Sequence, residues 1–278
     1  MALIVLTSSR GAPGVTTTAL ALALLWPRPT VLVEADVSGS SSVAAGYMRG
    51  TIGPQRGLIN LVVAHRAGTL TPESIREQAV TLTDDGSRLL VPALANADQV
   101  GSMTEGFWER LGAVLTALGR AGTEVIVDAG RAGAWNGPEP LFRCADMVLL
   151  VARTSLDAVV SARARVGQLR GALADSVPGV DVLGLLLVGD GRPHRAGDVS
   201  KAVGLPVVAT ISYDEANAQV LSHGAPRSRR FDTSPLVRSI RSAADEIQRA
   251  AAARQAHLAP PLLTEEEHEE HAGARRSE

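Results

Sequence analysis

Residues 8–18 read Ser-Ser-Arg-Gly-Ala-Pro-Gly-Val-Thr-Thr-Thr and lie between a short apolar run rich in branched residues and a stretch of helical length. Strand, glycine loop and helix in that order form the setting a phosphate site requires. The glycines let the backbone curl so that successive N–H groups point inward, and the helix N-terminus adds partial positive charge. A glycine-rich loop alone says little, but three further pieces fall at suitable positions. They are Glu34-Ala-Asp36 at the end of a second apolar run, Asp128 at the end of another, and Ile211-Ser-Tyr-Asp214 with Gly224-Ala-Pro226 downstream. Each has an ordinary explanation when taken singly: Asp128 at a strand end serves equally as a helix-capping or turn carboxylate, and Thr16, Thr17 and Thr18 suit a helix start. In this order, on these elements, they point together to a site for a phosphate-bearing ligand.

The elements that must position these residues follow from periodicity. Residues 2–7, 30–34, 88–91, 124–128, 147–151, 182–188 and 206–211 are short apolar runs, of which 124–128 and 147–151 are continuous enough to be strands covered on both faces. Helical length or spacing predicts helices over 16–26, 58–64, 72–80, 104–118, 156–173, 214–222 and 234–254; Pro72 and Glu73 suit a first turn. Residues 35–53, rich in Ser and Gly, read as an active-site loop. Strands alternating with helices imply right-handed crossovers and an α/β fold with a doubly wound, mostly parallel sheet. No repeat or linker divides residues 1–258, which are expected to form one domain. Pro260 and Pro261 end the last helix, and 259–278 is expected to be a disordered acidic tail.

Composition narrows the function classes. The chain has 278 residues, 45% hydrophobic and 20% charged, enough to bury a full core. No apolar run approaches the roughly 20 residues of a spanning helix, and nothing at the N-terminus marks the chain for export, so no integral membrane segment and a cytoplasmic setting are expected. Cys144 is the single cysteine, which excludes an internal disulfide and any thiolate metal site built from one chain; it reads as a core thiol. His194, His223 and His257 read as solvated loop or helix residues. The net charge of −2 hides an acidic tail on a near-neutral body, so the charge balance does not announce nucleic acid. Lys201 is the only lysine, and it alone is available to any mechanism that needs one. Arg227, Arg229 and Arg230 form the one basic cluster.

Residues 1–254 resemble the MinD/ParA family of P-loop ATPases, of the SIMIBI class, whose deviant Walker A motif runs Lys-Gly-Gly-x-Gly-Lys-Thr-Thr. The corresponding residues are Arg10-Gly11-Ala12-Pro13-Gly14-Val15-Thr16-Thr17. The resemblance implies that these residues cradle the phosphates of ATP, with Thr16 and Asp128 holding Mg2+, Thr17 touching a phosphate, and Asp36 positioning the attacking water. Arg10 stands where the signature lysine reaches across a dimer and retains a guanidinium able to grip phosphate. Val15 stands where the phosphate-binding lysine belongs and has no such group.

A hydrogen bond to a charged group is worth about 1.5–3 kcal/mol, so this loss weakens nucleotide binding roughly ten- to hundredfold. Phosphoryl transfer needs cations on the transferred group, and Pro13 removes one more N–H donor. The expectation is a degenerate site, a pseudo-ATPase that binds ATP and Mg2+ weakly and turns ATP over poorly or not at all. Gly189-Asp190 and Ser212 also depart from the family's Asn and Pro near adenine. Such departures resemble the TadZ/CpaE group, which implies a homodimer that recruits a partner machine, such as pilus assembly, to a cellular site. The alternative is a ParA-type DNA-segregation ATPase that touches nonspecific DNA through Arg227, Arg229 and Arg230.

Overall fold

The apolar runs become parallel strands because both faces of the sheet they form are covered. In the computed structural model, which describes residues 2–10, 14–53, 55–173 and 182–258, the strands are β1 (Leu3–Ser8), β2 (Thr30–Glu34), β3 (Val80–Thr81), β4 (Arg88–Val91), β5 (Glu124–Arg131), β6 (Met147–Arg153), β7 (Leu183–Val188) and β8 (Val207–Ile211). Their order is β3-β4-β2-β5-β1-β6-β7-β8, parallel throughout except that β3 runs antiparallel to β4. The helices are α1 (Val15–Leu25), α2 (Ser42–Ala45), α3 (Leu58–Arg66), α4 (Pro72–Gln78), α5 (Glu105–Arg120), α6 (Leu156–Ala172), α7 (Ala196–Val203), α8 (Glu215–Ser222) and α9 (Pro235–Leu258).

Alternation along each strand divides the core into two layers. Leu3 and Val5 of β1 join Val31, Val33, Val125 and Val127 on one face, under α3, α5 and α6. Ile4 and Leu6 join Leu32, Ile126 and Leu149 on the other, under α1, α8 and α9. The middle of β1, β2, β5, β6 and β7 is therefore apolar at successive positions rather than at every second one. The helix predicted over 104–118 is α5, and the Thr104 side chain accepts from Phe107 N at its head.

Four local features differ from expectation. The helix predicted over 72–80 stops at Gln78; Ala79 is extended, and Val80 pairs with Leu90 as the start of β3. The Ser/Gly-rich loop after β2 contains the single turn α2, which Glu34 holds in place, and α7 follows β7. The last helix runs four residues past the expected end, to Leu258. Cys144 is half-buried, and burial raises its thiol pKa. Among the described residues no helix is long and apolar enough to cross a membrane. The expected tail, 259–278, lies outside the described residues.

Strand order sets the place of the site. β1 lies between β5 and β6, and the crossover through α1 carries the chain past β5 to β2, whereas later crossovers carry it outward through β6, β7 and β8. In open parallel sheets, ligands bind in the crevice outside the carboxyl ends of the strands where the order reverses. Here that crevice opens beyond Ser8.

Candidate functional site

The first strand ends at Ser8, and the loop after it delivers the chain to α1. Gly14 caps that helix with φ +99°, a left-handed conformation that glycine adopts without cost, and its carbonyl accepts from Thr18 N at 2.8 Å. Gly11, Ala12 and Pro13, expected in the cradle, lie outside the described residues. A cleft of about 760 Å³ opens over the head of α1, with Gly14, Val15, Thr16 and Thr17 in its wall beside Asp36, Gly130, Arg131 and Arg153. Val15 is only 6% exposed and belongs to the apolar layer that α1 shares with α8 and α9.

Three carboxylates converge on this end of the sheet. Asp128, fully buried near the end of β5, takes a hydrogen bond from the Thr16 hydroxyl and one from Gly130 N at 2.9 Å. Burial raises its pKa to about 6 and the nearby Asp36 charge adds to the rise, while those two hydrogen bonds oppose it. Asp36 leaves the end of β2, accepts from Ser38 N at 2.8 Å and lines the cleft. Glu34 sits beneath it, 2% exposed, and accepts from Val43 N at 3.0 Å and from the Ser41 hydroxyl. Burial raises Glu34 to about 7 against those bonds, with a further push from Asp128. Glu34 thus fastens the loop after β2, which supplies Ser38, Ser42 and Val43 to the cleft wall.

Thr16, Thr17, Asp36 and Asp128, far apart in sequence, are brought together. Arg10 is not on the cleft wall: its guanidinium pairs with Asp157 in the first turn of α6, both side chains more than half exposed. Asp214 caps α8, and Tyr213 lies under the Arg153 guanidinium, 5.0 Å from it to the ring centroid. Arg227, Arg229 and Arg230 are exposed on the loop after α8, where Arg227 donates to the Tyr47 hydroxyl at 3.2 Å.

Sequence reasoning missed Arg131, Arg153, Ser222 and His223 in the cleft wall. The apolar runs read from the sequence end at 128 and 151, short of the two arginines, and only the full extent of β5 and β6 makes Arg131 and Arg153 their last residues. His223, expected to be simply solvated, is exposed and stands at the cleft mouth.

The arrangement fits a phosphate-bearing ligand with a divalent cation. Helix-head amides face the space, and a hydroxyl and a carboxyl, Thr16 and Asp128, lie side by side as Mg2+ ligands do. Among the described residues no group of three or more acidic, His or Cys side chains is placed to hold a metal alone. Any Mg2+ there therefore depends on ligand oxygens and water to complete its shell.

No protein-family profile and no curated protein sequence matches this chain. Solved structures do match. The septum site-determining protein MinD from Pyrococcus horikoshii, solved with Mg-ADP, superposes with TM-score 0.67 at 16% identity, over 91% of this chain and 98% of that one. A putative plasmid partition protein from Borrelia burgdorferi, bound to AMPPNP, gives TM-score 0.67 at 13% identity, over 89% and 98%. MinD from Aquifex aeolicus, in a complex with MinC, gives 0.62 at 15%, over 89% and 96%. At such identities the likeness is one of fold, and it spans almost the whole of each chain: this protein has the architecture of MinD and of the plasmid partition protein.

Proposed function

We propose that the chain is a MinD/ParA-like positioning or partitioning protein with a degenerate nucleotide site. It binds ATP with Mg2+ weakly, hydrolyses it little or not at all, and recruits a partner machine such as a pilus assembly system. In this reading residues 1–258 are the nucleotide domain, 259–278 an acidic tail, and the protein works as a cytoplasmic homodimer. The observation that carries the proposal is the pairing of a complete carboxylate set, Asp36 and Asp128, with an apolar Val15 at the head of α1. Thr16 and Asp128 hold the cation, which neutralises phosphate charge when bound; Thr17 and Gly14 face the phosphates, and Asp36 orients water. The loop lacks the lysine that would stabilise charge on a transferred phosphoryl group, so binding outlasts catalysis.

Calorimetry with Mg-ATP beside a phosphate-release assay tests this. Weak binding with negligible turnover is expected, and steady turnover at about 1 s⁻¹ or faster, the ordinary range for enzymes, overturns it.

A second reading, DNA segregation, is favoured by one observation, the exposed run of Arg227, Arg229 and Arg230 on one loop. Phosphate contacts through them make binding steeply salt-dependent. The absence of a gel shift with nonspecific duplex at low salt, with and without ATP, retires this reading.

A further inference from the structure

The cleft has lost its lysine, yet it is not short of cations. Arg131 is the last residue of β5, three beyond Asp128, and Arg153 is the last residue of β6. Those strands flank β1 on either side, so the two side chains leave the sheet around the point where the phosphate loop emerges; Ser8 is the register partner of Arg131. Both line the same cleft as Gly14, Thr16 and Thr17, whose wall contains a single acidic residue, Asp36. Both are exposed, and among the described residues neither guanidinium has an ion-pair or hydrogen-bond partner. Arg153 does rest on the Tyr213 ring, which limits its wandering without neutralising it. Arg10, by contrast, is matched with Asp157.

We infer that Arg131 and Arg153 hold the phosphate groups of a nucleotide in this cleft, gripping them from the strand ends in place of the lysine missing from the loop. The inference rests on the reading of the cleft as a nucleotide site and adds the residues that supply its charge. A guanidinium is well matched to phosphate, because its planar fork donates two hydrogen bonds to one phosphate group and stays charged at any working pH. Strand-end placement adds two charges to the helix head as separate groups on one cleft wall.

The test uses the full chain and two probes, Mg-ATP and inorganic triphosphate, titrated by calorimetry into the parent, Arg131→Ala, Arg153→Ala, Arg131→Lys and Arg10→Ala. Melting of each ligand-free variant is followed alongside and is expected to match the parent, because both arginines are exposed. Each cleft alanine variant is expected to lose about ten- to hundredfold in affinity for both probes, with Arg131→Lys recovering part of the loss. If the parent binds Mg-ATP and both cleft variants bind it equally well, the inference is overturned while the nucleotide reading stands. Loss confined to Arg10→Ala overturns it too and returns the charge to the loop. If the parent binds neither probe at about 1 mM, a free energy near −4 kcal/mol, the nucleotide reading itself falls and takes the inference with it.

Discussion

The Asp36 carboxyl group rests on the backbone of Gly130: a Cβ built there would lie 2.3 Å from Asp36 Cγ and within 2.6 Å of both carboxyl oxygens. The glycine also has φ +59°, which L side chains rarely adopt. Gly130 N in turn holds Asp128. One small residue therefore spaces Asp36, which lines the cleft, from the buried Asp128.

Gly130→Ala is expected to push Asp36 away and strain the turn, lowering stability by about 1–3 kcal/mol. Denaturant unfolding measures this, and a midpoint equal to the parent's would show that the turn relaxes freely.

Glu34 predicts a pH dependence. Its folded pKa, about 7, lies above the usual 4.5 because burial disfavours the charge. The folded state therefore holds the proton more tightly, and its contribution is fully present below pH 4.5 and lost as pH rises through 7. In ligand-free, metal-free buffer the parent should lose stability from pH 5 to 7.5, by on the order of 3 kcal/mol from this residue. Asp128, raised to about 6, acts in the same direction over a lower window. Glu34→Gln should flatten most of the slope, and parallel profiles for parent and variant would remove Glu34 as its source.

Val15→Lys places an ammonium at the head of α1. The position lines the cleft although its side chain is mostly buried, so the lysine stem can take the valine's place and its head can reach the open space. Nucleotide affinity should rise about tenfold or more, at a cost of roughly 1 kcal/mol in stability. Unchanged affinity in a folded variant would show that the phosphate site is not at this helix head.

Arg254 near the end of α9 is buried, donating to the carbonyls of Ala145 at 3.1 Å and Asp146 at 3.2 Å, where the chain enters β6. Arg254→Ala leaves both without a partner and should cost about 2–4 kcal/mol by denaturant unfolding. Arg229→Ala, on the exposed loop, should change stability by less than about 0.5 kcal/mol.

Among the described residues seven of the eight strands were legible because each is built on a short run of apolar residues; that is what burial on both faces demands. β3 was not, because two residues carry no period, and Val80 and Thr81 look like the end of α4 until β4 is there to pair with them. α2 was hidden for another reason: its Ser42-Val-Ala-Ala has no helical pattern of its own and is held by Glu34 from outside. In the site, Thr16, Asp36 and Asp128 stood out because carboxylates and hydroxyls at strand ends and helix heads are informative by type. Arg131 and Arg153 did not stand out, since in a chain with a single lysine among 27 basic residues another arginine carries little signal. Their meaning came from the sheet order, which places both beside β1.

Helix α1 is enclosed nearly all round: Val15, Thr18, Ala19, Leu20, Ala21, Leu22 and Ala23 are buried, and its alanines let it lie close between the sheet and the outer helices. The loop after β2 is fastened by Glu34 at its start and by Arg49, which donates to Gly224 O, further on, and it exposes much of its length to solvent. The two walls of the cleft are therefore expected to open as different cooperative units. Amide protons of α1 should exchange with deuterium only when the whole domain opens, whereas those of residues 38–53 should exchange through a smaller opening. A ligand entering this cleft would find one wall already set and would do its ordering work on the other.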